Sequence, residues 1–409
     1  MAPSIRRLRR RIFLATILTI VGALLATAVI NLVIDPYGTF RLVDLPRFNR
    51  IKPYPDHDLE TIKDHALRHV GPDAIILGNS RAEVGFDPLH PVWRAAGYES
   101  VYNAAVAGAG PTTAARLLDR ALHSAKSPRF ILLGVDFFDF PVAANSREIV
   151  PASGNPRWAD TLWRLRATLT MQALLDSATT LRRQFQHNPE QLTLRGHNPL
   201  LEYLDVTKAE GYWVLFRQRA EENAKNHARK PRNIFLAGTR TSPSFDDLRG
   251  LVHRARESKA ELRLVVYPYH AQLLVLMDEL GFWPLFEDWK RQLVRIAEEE
   301  SPAGGAGVSV LDFSGFSEFS TEAVPARNDK QSSTRWYWEA GHFKKSLGDV
   351  MLEPILGRGS DDAVGTFGAA LTSRNVEQHL ARLRESKDNY RLANPEVVNE
   401  IRQMLGKAG

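Results

Sequence analysis

The stretch DAIILGNSRAEVGF, residues 73–86, decides the fold. Ala74, Ile75, Ile76 and Leu77 form a continuous apolar run between Pro72 and Gly78, the pattern of a strand buried on both faces of a parallel sheet. The run stops at Gly78-Asn79-Ser80-Arg81, so a serine flanked by an amide and a guanidinium emerges where the strand ends. In an open α/β sheet, ligands gather beyond the carboxyl ends of the strands, which makes this serine the first residue to weigh for chemistry.

The same pattern recurs outward from it. Residues 101–105 predict a second strand, followed by VAGAGP and a helix opened by Pro111. FILLGV at 130–135, LRLVVY at 262–267 and VSVLDF at 308–313 predict a third, fourth and fifth. An apolar stripe of Phe282, Leu285, Phe286, Trp289, Leu293 and Ile296 predicts a helix between the last two. Strands alternating with helices argue an α/β fold with a parallel sheet covered on both faces. Residues 137–261 are far more than a crossover needs, so they read as a helical insertion, a lid or an added layer, with 158–185 its clearest helix.

The chain has 409 residues, 44% of them hydrophobic, enough for a sizeable core. The formal charge is +6, but Arg6, Arg7, Arg9, Arg10 and Arg11 crowd the amino end, and no basic face with nucleic-acid-binding context accompanies the rest. After those arginines, residues 12–34 carry no charge and span roughly 30 Å as a helix. This reads as a single transmembrane anchor whose arginines hold the amino end (1–11) in the cytoplasm and place everything after Asp35 outside the inner membrane. The rival is a signal peptide cleaved after Ala28, within the small-x-small run Ala26-Thr27-Ala28. A connector (35–55), a catalytic-type α/β domain (56–356) and a polar helical tail (357–409) complete the expected order. With no cysteine, disulfides, thiolate catalysis and Cys-ligated zinc are excluded.

A serine hydroxyl needs a base, and the base needs a group that orients it. WYWEAGHFKK supplies both: Glu339 and His342 lie three residues apart, spaced so that the carboxylate can meet one ring nitrogen and leave the other for Ser80. The same spacing suits a metal-ligand pair, but a closed site needs more ligands and no second pair is present. Asp312, at the end of the fifth strand, is the alternative partner for the histidine. His270 lines the cleft or caps the next helix, and Trp336, Tyr337 and Trp338 either pack or stack on sugar.

Taken in order, GNSR, the glycine turn of YNAAVAGAG, the GVD of ILLGVDFFDF and the ExxH near 339–342 resemble the ordered blocks of the SGNH (GDSL-like) hydrolase superfamily. With NLVIDPYG and the anchor in front, the chain is similar to membrane-anchored bacterial members that work beside membrane-bound O-acyltransferases on cell-envelope glycans. The resemblance implies a flavodoxin-like three-layer α/β/α fold and an esterase or acyltransferase needing no cofactor. Ser80 would be the nucleophile, His342 the base and Glu339 its orienter, where the family usually has aspartate. The oxyanion donors would be the Ser80 N–H, Gly108 and the residue at 136. There the family's asparagine is replaced by Asp136: either burial keeps it protonated, or it has another job, or a different donor such as Asn79 or Arg81 completes the hole. The implied partners are an acyl donor, a cell-envelope glycan and a membrane-bound O-acyltransferase; the alternative is an impaired scaffold that binds the glycan or that transferase.

Overall fold

The computed structural model describes residues 2–55, 57–124, 126–143, 159–228, 232–300, 307–357 and 367–408. The chain divides into two units, one of Met1–Ala66 with Gly154–Leu194, the other of Leu67–Ser153 with Arg195–Gly409.

The larger unit is built on a six-stranded sheet. Its strands are β1 (Ala74–Leu77), β2 (Val101–Asn103), β3 (Phe130–Val135), β6 (Glu261–Val266), β7 (Val308–Asp312) and β10 (Ala369–Leu371), in the order β10-β7-β6-β3-β1-β2. Two short pairs lie apart from it, β4 (Val142–Ala143) with β5 (Arg232–Asn233), and β8 (Tyr337–Glu339) with β9 (His342–Phe343). The five predicted strands are present and parallel, in register from Ala74↔Phe130 through Phe130↔Glu261 to Leu262↔Val308. Every residue of β1, β2 and β3 is buried, so both faces of the sheet are covered, as continuous apolar runs require.

The sheet is nevertheless mixed. β10, from the tail read as polar and helical, pairs antiparallel with β7 (Ala370↔Leu311) and closes that edge. Three residues are too short to announce a strand by alternation. Two longer helices follow, Val376–Ala393 and Pro395–Ala408.

The smaller unit holds the helix Ala2–Ile34, of which Ile5–Ile34 is long and apolar enough to cross a membrane. Its carboxyl end is capped from the connector. Asn49 Nδ2 donates to the carbonyls of Val33, Ile34 and Val43, and Lys52 Nζ donates to that of Ile34 at 3.2 Å. Asp35 then accepts from the backbone N–H groups of Thr39, Phe40 and Arg41, which makes the DPYGTF turn a tight exit. Residues 137–261 are shared between the units: 154–194 belong with the apolar helix, and 137–153 and 195–261 with the sheet. The helix expected at 158–185 is two, Ala159–Leu169 and Met171–Arg183. Thr170 breaks it by turning its hydroxyl onto the Ala173 N–H, a side-chain cap for the second helix.

Candidate functional site

β1 delivers the serine. Gly78 follows it at φ +138°, a conformation that side-chain-bearing residues rarely adopt, and the Tyr267 hydroxyl occupies the space that a Cβ would fill. Asn79 caps the short helix Ser80–Gly85 by accepting the Arg81 N–H on its side-chain oxygen at 3.1 Å. Ser80 is thus the first helical residue, half-buried, with a backbone N–H that has no partner within the helix.

The far end of this helix is held as firmly. Asn103, fully buried at the end of β2, donates to the carbonyls of Ala82 and Phe86, each at 2.9 Å. His197 Nε2 meets the Val84 carbonyl at 3.0 Å. These two residues satisfy the end of a helix too short to persist alone. They also fix the height of Ser80.

The partner hairpin comes from β8 and β9. Glu339 ends the first strand and His342 opens the second, joined by Ala340-Gly341, and the Gly341 N–H donates to Glu339 Oε2 at 2.5 Å. His342 Nδ1 bonds Glu339 Oε1, and His342 Nε2 lies 2.8 Å from Ser80 Oγ. The three residues of the expected triad are therefore one hydrogen-bonded chain. Burial alone would raise the Glu339 carboxyl. The adjoining His342 ring, the Arg219 guanidinium and the Gly341 N–H outweigh it and hold the group near 2. Arg219, whose Nε is 3.3 Å from Glu339 Oε1, lies on the helix Tyr212–His227 and was not singled out from sequence, because nothing in its local pattern marks it.

Two glycines allow the hairpin to reach the serine. A Cβ on Gly85 would stand 1.9 Å from the Phe343 ring, and one on Gly348 would stand 1.8 Å from the Gly85 carbonyl oxygen. The helix Lys345–Ile355 and the serine's helix thus approach backbone to backbone, with Phe343 wedged beside them. Lys344 anchors the hairpin from the other side, its ammonium 4.4 Å from the Tyr212 ring centroid and 4.5 Å from that of Trp338.

Asp136 meets a different set of groups from an oxyanion. Its carboxylate accepts from Asn79 Nδ2 (2.7 Å), from Arg81 Nη1, from the Tyr269 hydroxyl (2.9 Å) and from the Phe138 N–H (3.1 Å). Burial holds the Tyr269 hydroxyl protonated well above its ordinary range, so it remains a donor. Asn79 and Arg81, the substitute donors, are both turned onto this carboxylate. Asp139 accepts from Asn79 Nδ2 at 3.2 Å, and burial, reinforced by the charge of Asp136, pushes its carboxyl well up. Gly108 lies on an exposed turn at φ +71°, whereas Gly110 is the glycine whose α-carbon faces Asp139, 3.5 Å from where its Cβ would be.

The other residues weighed from sequence have structural partners. Asp312 bonds Lys290 Nζ (2.7 Å) and His379 Nε2 (2.8 Å) in a buried cluster. His270 caps the helix Ala271–Glu279 and points Nε2 at the Glu322 carbonyl, 2.9 Å away; burial lowers its pKa to about 4, so the ring is neutral. Tyr337 and Trp338 are buried, and Trp336 packs edge-on to Phe319 with Arg335 over its ring. No group of three His, Asp or Glu side chains arranged to hold a metal ion occurs among the described residues.

No protein-family model matches the chain, and a search of the curated proteins finds no match.

Proposed function

We propose that this chain is a membrane-anchored, extracytoplasmic serine esterase or O-acyltransferase of SGNH-like type, acting on a cell-envelope polysaccharide through an acyl-serine. One observation carries the reading: Ser80, His342 and Glu339 form a continuous hydrogen-bonded chain from a nucleophile to a buried, ionised carboxylate. The strand order adds support. Counted along the chain, the parallel strands cross the sheet as 2-1-3-4-5, the order of flavodoxin-like folds, and the serine stands at the carboxyl end of the first. The apolar helix Ile5–Ile34 with its arginines supports an inner-membrane anchor with the sheet unit outside.

In this mechanism, His342 Nε2 takes the proton of Ser80 Oγ as the oxygen attacks the acyl carbon. Glu339 holds Nδ1–H and stabilises the imidazolium. The carbon–oxygen bond to the leaving alcohol breaks, and that alcohol leaves with the proton from Nε2. A glycan hydroxyl or water, deprotonated by the same nitrogen, then takes the acyl group, and as the acyl–Oγ bond breaks Ser80 Oγ recovers the proton from Nε2. The Ser80 N–H, at the first position of the helix, serves as an oxyanion donor.

The test is covalent labelling with a fluorophosphonate followed by intact-mass measurement. One adduct is expected on the wild-type chain, lost in Ser80→Ala and strongly reduced in His342→Ala. A wild-type protein that stays unlabelled under forcing conditions overturns the reading.

The second reading, an impaired scaffold that binds glycan or a membrane-bound O-acyltransferase, draws on Asp136. An acceptor stands where the resemblance calls for a donor, and both neighbouring donors are engaged by it.

A further inference from the structure

We propose that the helices Ala159–Leu169 and Met171–Arg183 form a corner that dips into the outer leaflet beside the apolar helix, so that the smaller unit grips the bilayer with three helical segments instead of one. The inference rests on the anchor reading of Ile5–Ile34.

Hydrogen bonds set the height of this corner. Asn31, fully buried near the carboxyl end of the apolar helix, donates to the Thr168 carbonyl and accepts from the Ser177 hydroxyl, each at 2.9 Å. The other end of the second helix is tied to the connector beyond the span. Gln184 exchanges two hydrogen bonds with the backbone of Ile51, at 3.1 and 2.7 Å, and the neighbouring Lys52 bonds Ile34. From Gln184 through Ser177 to Met171, the second helix therefore descends along the apolar helix. At 1.5 Å per residue, Met171 lies about 9 Å beyond Ser177.

Lipid must reach that level, because Val29 and Ile30, adjacent to Asn31, are bare while Asn31 is covered. At the same depth the corner presents a second bare apolar surface. Leu165 and Leu169, four apart on the first helix, are 50% and 40% exposed; Met171 and Leu175, four apart on the second, are 69% and 57% exposed. In water, four such side chains on one short corner would be a costly face. Seated some 5–10 Å into the headgroup and acyl boundary, they are an interfacial anchor. The inward faces already have partners: Trp163 and Ala167 pack in a small core with Ile62 and Leu192, and Ala173, Ser177 and Thr180 are buried. The bare residues are thus the leftover face of a packed pair. Arg164 and Arg166, exposed on the first helix, suit an anionic headgroup layer, their long stems covering apolar surface while the charge stays at the boundary.

The chain has no cysteine, so single-cysteine variants carry one probe each. Leu18→Cys, Met171→Cys, Leu175→Cys and Gln186→Cys would be labelled with an environment-sensitive fluorophore in the full-length protein. Each would be reconstituted into liposomes of phosphatidylethanolamine and phosphatidylglycerol containing lipids with a quencher at a shallow or a deep acyl position. The expected result is deep quenching at Leu18→Cys, shallow quenching at Met171→Cys and Leu175→Cys at least about twofold above that at Gln186→Cys, and little at Gln186→Cys. Deep quenching at Leu18→Cys with Met171→Cys and Leu175→Cys no more quenched than Gln186→Cys overturns the corner and leaves the anchor standing. Absence of quenching at Leu18→Cys overturns the anchor reading and the corner with it.

Discussion

Gly85→Ala tests whether close backbone approach is what brings His342 to Ser80. The glycine has no positive φ, so alanine fits its backbone, and helix propensity alone would favour the change by up to about 1 kcal/mol. Space argues the other way. The new methyl carbon would lie 1.9 Å from Phe343 Cε2, while ordinary contact begins near 3.4 Å, so the ring must retreat by about 1.5 Å. Phe343 follows His342 directly, and a matching shift of the imidazole would open the 2.8 Å separation from Ser80 Oγ to about 4 Å, beyond hydrogen-bond reach. Overpacking of this kind costs about 1–3 kcal/mol, so the protein should still fold, with a slightly lower urea midpoint. Proton transfer is far more sensitive, since a misplacement of about 1 Å can cost on the order of 100-fold in rate. Fluorophosphonate labelling of Gly85→Ala should therefore slow by about two orders of magnitude. The double variant Gly85→Ala/Phe343→Leu, which removes the obstructing ring carbons, should recover most of it. Wild-type labelling in the single variant, or equal slowness in single and double, would refute the reasoning.

Three further outcomes are expected. The Glu339 carboxyl sits near 2 against an ordinary 4.5, which amounts to about 3 kcal/mol of folded-state preference for the carboxylate; that stabilisation is complete above pH 4.5 and is lost as pH falls toward 2. Urea denaturation should show the wild type losing about that much more stability than Glu339→Gln between pH 5 and pH 2, and parallel pH profiles would count against the buried carboxylate. Gly134→Ala places a Cβ 2.1 Å from the Tyr267 hydroxyl and 2.4 Å from its ring, so it should cost about 2–3 kcal/mol by thermal or chemical denaturation, with part restored by Tyr267→Leu; a neutral substitution would show that the ring moves freely. Asp136→Asn takes from Arg81 its buried counter-ion and should destabilise by about 3 kcal/mol without faster labelling, whereas faster labelling would mean that Asp136 obstructs the oxyanion.

The first three strands were legible because each is a short apolar run closed by a glycine, an aspartate or a turn, and burial on both faces leaves no polar alternation to blur the reading. Ser80, Glu339 and His342 were legible for a related reason: the serine sits where a strand ends, and the carboxylate and imidazole lie three residues apart across a hairpin turn. Residues that act across long sequence distances were not. Asn103 and His197 cap the serine's helix from 17 and 113 residues away, and Arg219 reaches Glu339 from a helix with no local mark of that role. Asp312 is similar: its partners are Lys290 on the helix Trp283–Glu299 and His379 in the tail, so a strand-end aspartate that looked available was already engaged. The break at Thr170 was missed because apolar spacing runs on through it, and only the hydroxyl's bond to Ala173 reveals a new start.

Asp136 changes meaning once its neighbours are known. Read from sequence, an ionised carboxylate at an oxyanion position repels the charge that forms there. In the folded chain the carboxylate oxygen facing the serine's neighbours is shared by Asn79 and by the Arg81 guanidinium, so its charge is cancelled within hydrogen-bond distance. Asp139, the next carboxyl, is driven toward its neutral form by burial and by Asp136. What remains is geometry: one carboxylate grips the side chains on both sides of Ser80 and is itself fixed by Tyr269 and the Phe138 N–H. This clamp on residues 79 and 81 fixes the serine between them. On the proposed reading, the asparagine of the superfamily that the chain resembles would lend a donor to the oxyanion; this aspartate would instead hold the serine still, leaving the Ser80 N–H and the helix it begins to meet the developing charge.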